Sequence, residues 1–198
     1  MKIRYNAPAV LSFAFLSATV LILSQTLIRP LTEMWFMVPG KEGFSPASFR
    51  CWVTLLTHAA GHANWSHLVS NFSFILLIGP ILEETYGSLS LVIMICITAL
   101  VTGILNVIFF SSGLLGASGV VFMMILLASF TNFNKGEIPL TFILVLILYL
   151  GRELFNSFGG AQDGNISQFA HIVGGFIGSL FGFFRVPRSQ EGRSRKTL

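Results

Sequence analysis

Residues 89–110 read Leu89-Ser90-Leu91-Val92-Ile93-Met94-Ile95-Cys96-Ile97-Thr98-Ala99-Leu100-Val101-Thr102-Gly103-Ile104-Leu105-Asn106-Val107-Ile108-Phe109-Phe110. No Asp, Glu, Lys, Arg or His interrupts the run, and its apolar residues do not alternate with polar ones as a half-buried strand requires. As a helix it is about 33 Å long at 1.5 Å per residue, against a hydrocarbon core about 30 Å thick. Lipid offers no hydrogen bonds, so a spanning segment must pair its own backbone as a helix or within a closed barrel. The stretch reads as a transmembrane helix.

The rest of the chain repeats this pattern. Of the 198 residues, 54% are hydrophobic and 10% charged, where soluble domains carry about 25% charged residues. Six apolar blocks stand out: about Pro8–Ile28, Trp65–Leu82, Leu89–Phe110, Ala117–Phe130, Ile138–Leu150 and Phe169–Phe184. Lys2 and Arg4 precede the first block, as in a signal peptide. That block is longer than a signal's apolar region and no A-x-A cleavage site follows, so a retained span is expected. The chain reads as one membrane domain, residues 1–198, with a basic tail at 185–198 suited to anionic headgroups.

Charge placement sets the orientation. With a cytoplasmic N-terminus, the inner segments hold Lys2, Arg4, Lys135, Arg185, Arg188, Arg193, Arg195 and Lys196. The outer ones hold Arg29, Lys41, Arg50 and Arg152. The positive-inside rule then favours both termini in the cytoplasm, as an even number of spans requires. The basic residues form no patch with interleaved aromatics, so nucleic-acid binding is not expected. Cys51 and Cys96 suggest no disulfide framework.

Two blocks are short. The fifth offers about 13 apolar residues, near 20 Å of helix, which implies a thinned bilayer or incomplete spans. The fourth follows Ser111-Ser112-Gly113-Leu114-Leu115-Gly116, which reads as irregular chain. Such backbone is tolerated at membrane depth only where it lines protein or a water-filled cavity. The fourth helix is therefore expected to begin inside a cavity.

Polar residues within spans are costly and point to function. His67 and Asn71 lie four apart at the start of the second span, on one helical face, and both can donate hydrogen bonds. His58 and His62, also four apart, lie in the approach and read as structural hydrogen-bonding groups. The histidines lack an H-E-x-x-H motif or a cysteine partner, so no metal is expected. Glu83 and Glu84 end the second block, either on a solvated face or bonded within the protein. Gly116-Ala117-Ser118-Gly119 places one serine among small residues at a helix start. Unpaired N–H groups there can receive an oxyanion. In the sixth block Ala170, Gly174, Gly178 and Gly182 recur every four residues beside His171. Such a stripe of small residues brings membrane helices into close contact.

Three motifs, His67…Asn71, Gly116-x-Ser118-Gly119 and Ala170-His171-x-x-Gly174, occur in this order on the second, fourth and sixth blocks. Together they resemble the rhomboid family of intramembrane serine proteases, over about Thr57 to Phe184. Glu83 and Gly87 also resemble the family's pattern at the turn after the second span. The resemblance implies an all-α membrane protein, a six-transmembrane-helix rhomboid-like bundle. It implies a Ser118–His171 dyad, with Ser118 as nucleophile and His171 as base and then acid. His67 and Asn71 would donate to the oxyanion with the backbone N–H of Ser118 and of Ala117. Gly116, Gly119 and Gly174 would serve turns and close packing. Membrane-anchored proteins would be the substrates, with no cofactor and no metal.

Two features depart from the family's pattern. Phe122 stands where an aromatic hydroxyl often follows the nucleophile by four residues, and Arg50-Cys51-Trp52 reverses a Trp-Arg pair of the first external loop. A multi-pass location in a bacterial inner membrane is expected. The competing reading is a catalytically inactive rhomboid-like protein that binds transmembrane segments. A transporter would show paired halves with broken helices, and no internal symmetry is visible.

Overall fold

The computed structural model describes residues 5–130 and 164–184, with Leu140, Ile143, Leu144 and Ile147 between them. Seven α-helices appear among the described residues: α1 (Pro8–Thr26), α2 (Leu31–Trp35), α3 (Phe49–Thr57), α4 (Trp65–Tyr86), α5 (Ser88–Phe109), α6 (Ser118–Phe130) and α7 (Gly164–Phe184). A 3₁₀ turn at His58–Ala60 follows α3. The expected fifth span, apart from those four residues, lies outside the described residues, as do Lys2, Arg4 and the basic tail. Helices α1, α4 and α5 are each long and apolar enough to cross a membrane.

The ends of these helices have identifiable causes. Pro8 occupies the first turn of α1, where its missing N–H costs nothing. The next two N–H groups, of Ala9 and Val10, donate to the two carboxylate oxygens of Glu83 at 2.9 and 3.0 Å. The end of α4 thus caps the start of α1, and the carboxylate's charge complements the positive helix terminus. Glu83 is buried by this role and Glu84 is exposed, which resolves the two readings of that pair. Helix α4 runs on past Leu82 to Tyr86 and stops at Gly87, whose φ of 84° favours glycine. Pro80 lies inside it, as membrane helices tolerate. Helix α5 follows at once and turns a buried polar stripe inward, Thr98, Thr102 and Asn106. The two threonine hydroxyls return to the carbonyls of Met94 and Thr98 at 2.8 Å.

Helix α6 is the core. Every side chain from Val120 to Leu127 is buried, as expected of a helix apolar all round. Its 13 residues make about 20 Å of helix. Large apolar side chains on the outer faces of α1, α4 and α5, such as Phe15, Leu77 and Leu89, are exposed, which suits lipid.

Packing of α7 on α6 is backbone to backbone. A Cβ added at Gly174 would overlap the carbonyl oxygen of Gly119, and one at Gly178 would overlap that of Met123. Both contacts advance four residues in the same direction, so the two helices run parallel. Water does not drive helix association in lipid, so this close van der Waals fit supplies much of the attraction.

The first long connection clamps the segment before α6. Val38 and Leu114 exchange two backbone hydrogen bonds of 2.9 Å, and Lys41 N–H donates to the Phe110 carbonyl at 2.8 Å. Asn106 of α5 donates to the Ser112 carbonyl at 3.1 Å. The irregular stretch 111–116 is therefore held on both sides by protein. Within the same connection Arg50 is exposed and Cys51 buried, and the Trp52 indole donates to the Pro46 carbonyl at 2.9 Å.

Candidate active site

The site is assembled from the start of α4, the turn into α6 and the face of α7. Asn64 caps α4: its side-chain oxygen accepts from the His67 N–H at 2.8 Å, which fixes His67 in the first turn. Asn71 follows one turn later on the same face. His67 is half-buried and Asn71 buried.

The turn into α6 comes to meet them. Gly116 has φ of 113°, and its N–H donates to the His58 carbonyl at 2.9 Å. Its open side faces α4. A Cβ there would lie 2.7 Å from both Cε1 and Nε2 of His67, and 3.7 Å from Nδ2 of Asn71. Only a glycine brings the backbone this close to the imidazole. Ala117 is fully buried, and its carbonyl accepts from the Val121 N–H at 2.9 Å. Ser118 therefore opens the helix and is half-buried. The first N–H groups of α6 have no partner within the helix and carry its positive end.

On the far side stands α7. Gly174 rests on the Gly119 backbone, one residue beyond Ser118. The His171 backbone lies in α7 three residues before Gly174. With the two helices parallel, that position is level with the Gly116–Ser118 turn. The His171 side chain lies outside what is described. Phe122 is buried, and its ring meets α7 at Gly175, where an added Cβ would lie 2.8 Å from Cδ1.

Two neighbours of the site escaped the sequence reading as specific partners. His62 Nε2 lies 3.1 Å from Asn71 Nδ2, and His62 Nδ1 lies 3.3 Å from the Ala60 carbonyl. His58 Nε2 meets the Ala99 carbonyl at 3.0 Å. Burial holds both imidazoles down to about 4, against the pull of their carbonyl partners, and for His62 the adjacent His67 adds to the lowering. The four-residue spacing of His58 and His62 was the available signal.

The arrangement suits a negative oxygen. An imidazole, a carboxamide and helix-terminal N–H groups converge on the turn before one serine hydroxyl. No group of three or more His, Cys, Asp or Glu is gathered for a metal among the described residues. Among the described residues the buried carboxylate is Glu83, sixteen residues along α4 from His67, about 24 Å of helix, too far to orient a base at Ser118.

The helices and this cluster define an integral membrane protein whose polar side chains His67 and Asn71 meet the turn at Gly116, two residues before the start of a buried central helix. The chain belongs to the rhomboid family: the Rhomboid domain matches over residues 50–188. It is 24% identical over 131 residues to Rhomboid protease GlpG of Haemophilus influenzae, across 65% of this chain and 67% of that protein. It is 24% identical over 162 residues to Rhomboid-like protein 11, chloroplastic, of Arabidopsis thaliana, across 75% of this chain and 58% of that protein.

Proposed function

We propose that the chain is an intramembrane serine endopeptidase that cuts membrane-anchored proteins in or near their transmembrane segments. The observation that carries this reading is the seating of Gly116, two residues before Ser118, against His67 and Asn71. A packing serine needs no such array of donors. The name of the Haemophilus relative, a rhomboid protease, supports it.

In this reading the Ser118 hydroxyl oxygen attacks the scissile carbonyl carbon while His171 takes its proton. The tetrahedral oxyanion accepts from His67, Asn71 and the N–H groups of Ala117 and Ser118. The C–N bond then breaks, and His171 returns the proton to the leaving amine. Water, deprotonated by His171, attacks the acyl-Ser118 carbonyl and releases the acid. A helix shields its peptide bonds, so the substrate must unwind locally, and helix-breaking residues near the cut help.

The same reading takes residues 1–198 as one domain with six spans. The parallel run of α6 and α7 supports the count, since an odd number of crossings must then lie between them. The distribution of Lys and Arg supports placing both termini in the cytoplasm, and the Haemophilus relative supports a bacterial inner membrane as the location in this reading.

The alternative is a family member that binds transmembrane segments without cutting them. The name of the Arabidopsis relative, which carries no protease designation, favours it. A fluorophosphonate probe on the purified protein in detergent separates the two. Labelling that Ser118→Ala abolishes supports the protease. Absence of labelling, with no cleavage of a reporter transmembrane substrate, supports the alternative.

A further inference from the structure

His62 precedes α4 by three residues and is 1% exposed. Its two ring nitrogens meet partners of opposite kind. A carbonyl oxygen, that of Ala60, faces Nδ1, and an amide nitrogen, that of Asn71, faces Nε2. A carbonyl can only accept and an amide nitrogen can only donate. Nδ1 therefore carries the proton, and Nε2 offers its lone pair to the Asn71 N–H. An imidazolium would put N–H against N–H at Asn71.

A carboxamide has nearly the same shape when turned by 180°, so packing alone does not choose between its nitrogen and its oxygen. The choice matters, because the Asn71 nitrogen is the atom near Gly116. An oxygen there would repel a developing oxyanion. We propose that His62 is a positioning residue: its Nε2 lone pair holds the Asn71 amide with an N–H turned toward the oxyanion. This rests on the protease reading. One amide proton satisfies His62 and the second remains for the substrate.

The surroundings keep His62 in the form required. The Phe72 ring lies 5.7 Å from the His62 ring and the His67 ring 5.0 Å away, edge-on. Both come from α4, and His67 is the titratable group that faces His62 among the described residues. An apolar ring on one side and a second imidazole on the other disfavour a positive charge.

The test uses the full chain in detergent. Its four histidines are labelled with ¹⁵N in the ring, and His62→Gln assigns the His62 signals. A protonated Nδ1 and bare Nε2 near pH 7.5 are expected, and a protonated Nε2 overturns the inference. Kinetics on a reporter transmembrane substrate supply the functional arm. His62→Ala should lower kcat about tenfold, less than the 10²–10³ of losing an oxyanion donor outright, and leave KM within about twofold. His62→Gln, whose side-chain oxygen accepts from the same N–H, should recover most of the loss. In an Asn71→Ala background the His62→Ala effect should nearly vanish, as for groups that act as a unit. An effect of equal size in that background, or none in the wild type, overturns the role. A wild type that cleaves nothing and leaves Ser118 unlabelled sinks the protease reading and this role together. An active wild type with an unaffected His62→Ala sinks this role alone.

Discussion

Gly174 of α7 lies so close to Gly119 of α6 that a methyl group on the first would overlap the carbonyl oxygen of the second. The obstacle is backbone, which cannot rotate away as a side chain can. Gly174→Ala gains up to about 1 kcal/mol of helix propensity, but it must push the two helices apart. Overpacking of this kind costs about 1–3 kcal/mol. The variant should unfold at lower temperature in detergent and cleave a reporter substrate far more slowly. Gly175→Ala is the comparison. Its added carbon meets Cδ1 of Phe122 and of Leu126 at 2.8 Å, and those side chains can turn, so its losses should be smaller. Equal losses in the two variants would mean that the α6–α7 spacing is not what matters.

Gly116→Ala should separate function from stability. The left-handed backbone costs an alanine about 1–2 kcal/mol, while the new carbon would stand 2.7 Å from the His67 ring. The ring must move, and a donor aimed at the serine turn moves with it. By the worth of one such donor, kcat should fall about 10²-fold or more, with only a modest drop in the unfolding midpoint. A variant with full activity and an unchanged midpoint would show that His67 has room to spare and does not act through that position.

The spans α1, α4 and α5 were legible because a membrane helix announces itself by an unbroken apolar run. The close α6–α7 contact was legible too, since small residues every four positions leave little else to do in lipid. What could not be read were contacts that follow no local period. The Asn71–His62 bond spans nine residues, with a bend between them that no helical spacing encodes. The Glu83 cap on α1 joins residues more than seventy apart. Two adjacent acids, Glu83 and Glu84, read as the end of an apolar block, which puts the end of the second span at Leu82. The helix reaches Tyr86, and the N–H groups at the start of α1 satisfy the buried Glu83 side chain within it. The pairing of Val38 with Leu114, which holds the turn before Ser118, is equally non-local.

Glu83 offers a stability prediction away from the site. Its two oxygens receive the Ala9 and Val10 N–H groups, and Glu83→Ala leaves the buried Val10 donor and the part-buried Ala9 donor without these partners. Each such loss costs about 1–3 kcal/mol. The unfolding midpoint should drop by several degrees. Glu83→Gln keeps one acceptor oxygen and should fall between the two. Glu84→Gln, on the exposed neighbour, should match the wild type. If Glu83→Ala were as stable as the wild type, water would have to replace the carboxylate at the α1 terminus.

Acid should destabilise the protein in a defined window. In the fold His58 and His62 are held down to about 4 by burial, against about 6.5 in an unfolded chain. Between these values the unfolded chain binds protons that the folded one refuses, so stability rises with pH there. The contribution of neutral, buried imidazoles is complete above about pH 6.5 and is lost progressively as pH falls toward 4. Thermal unfolding in detergent from pH 8 to pH 4 should show a flat midpoint at first, then a decline beginning near pH 6.5. Replacing His58 by Asn removes one of the two groups, so its curve should decline less steeply even if it starts lower. His62→Gln should flatten the slope in the same way. A midpoint independent of pH down to 4 would mean that the unfolded chain gains no protons at these positions.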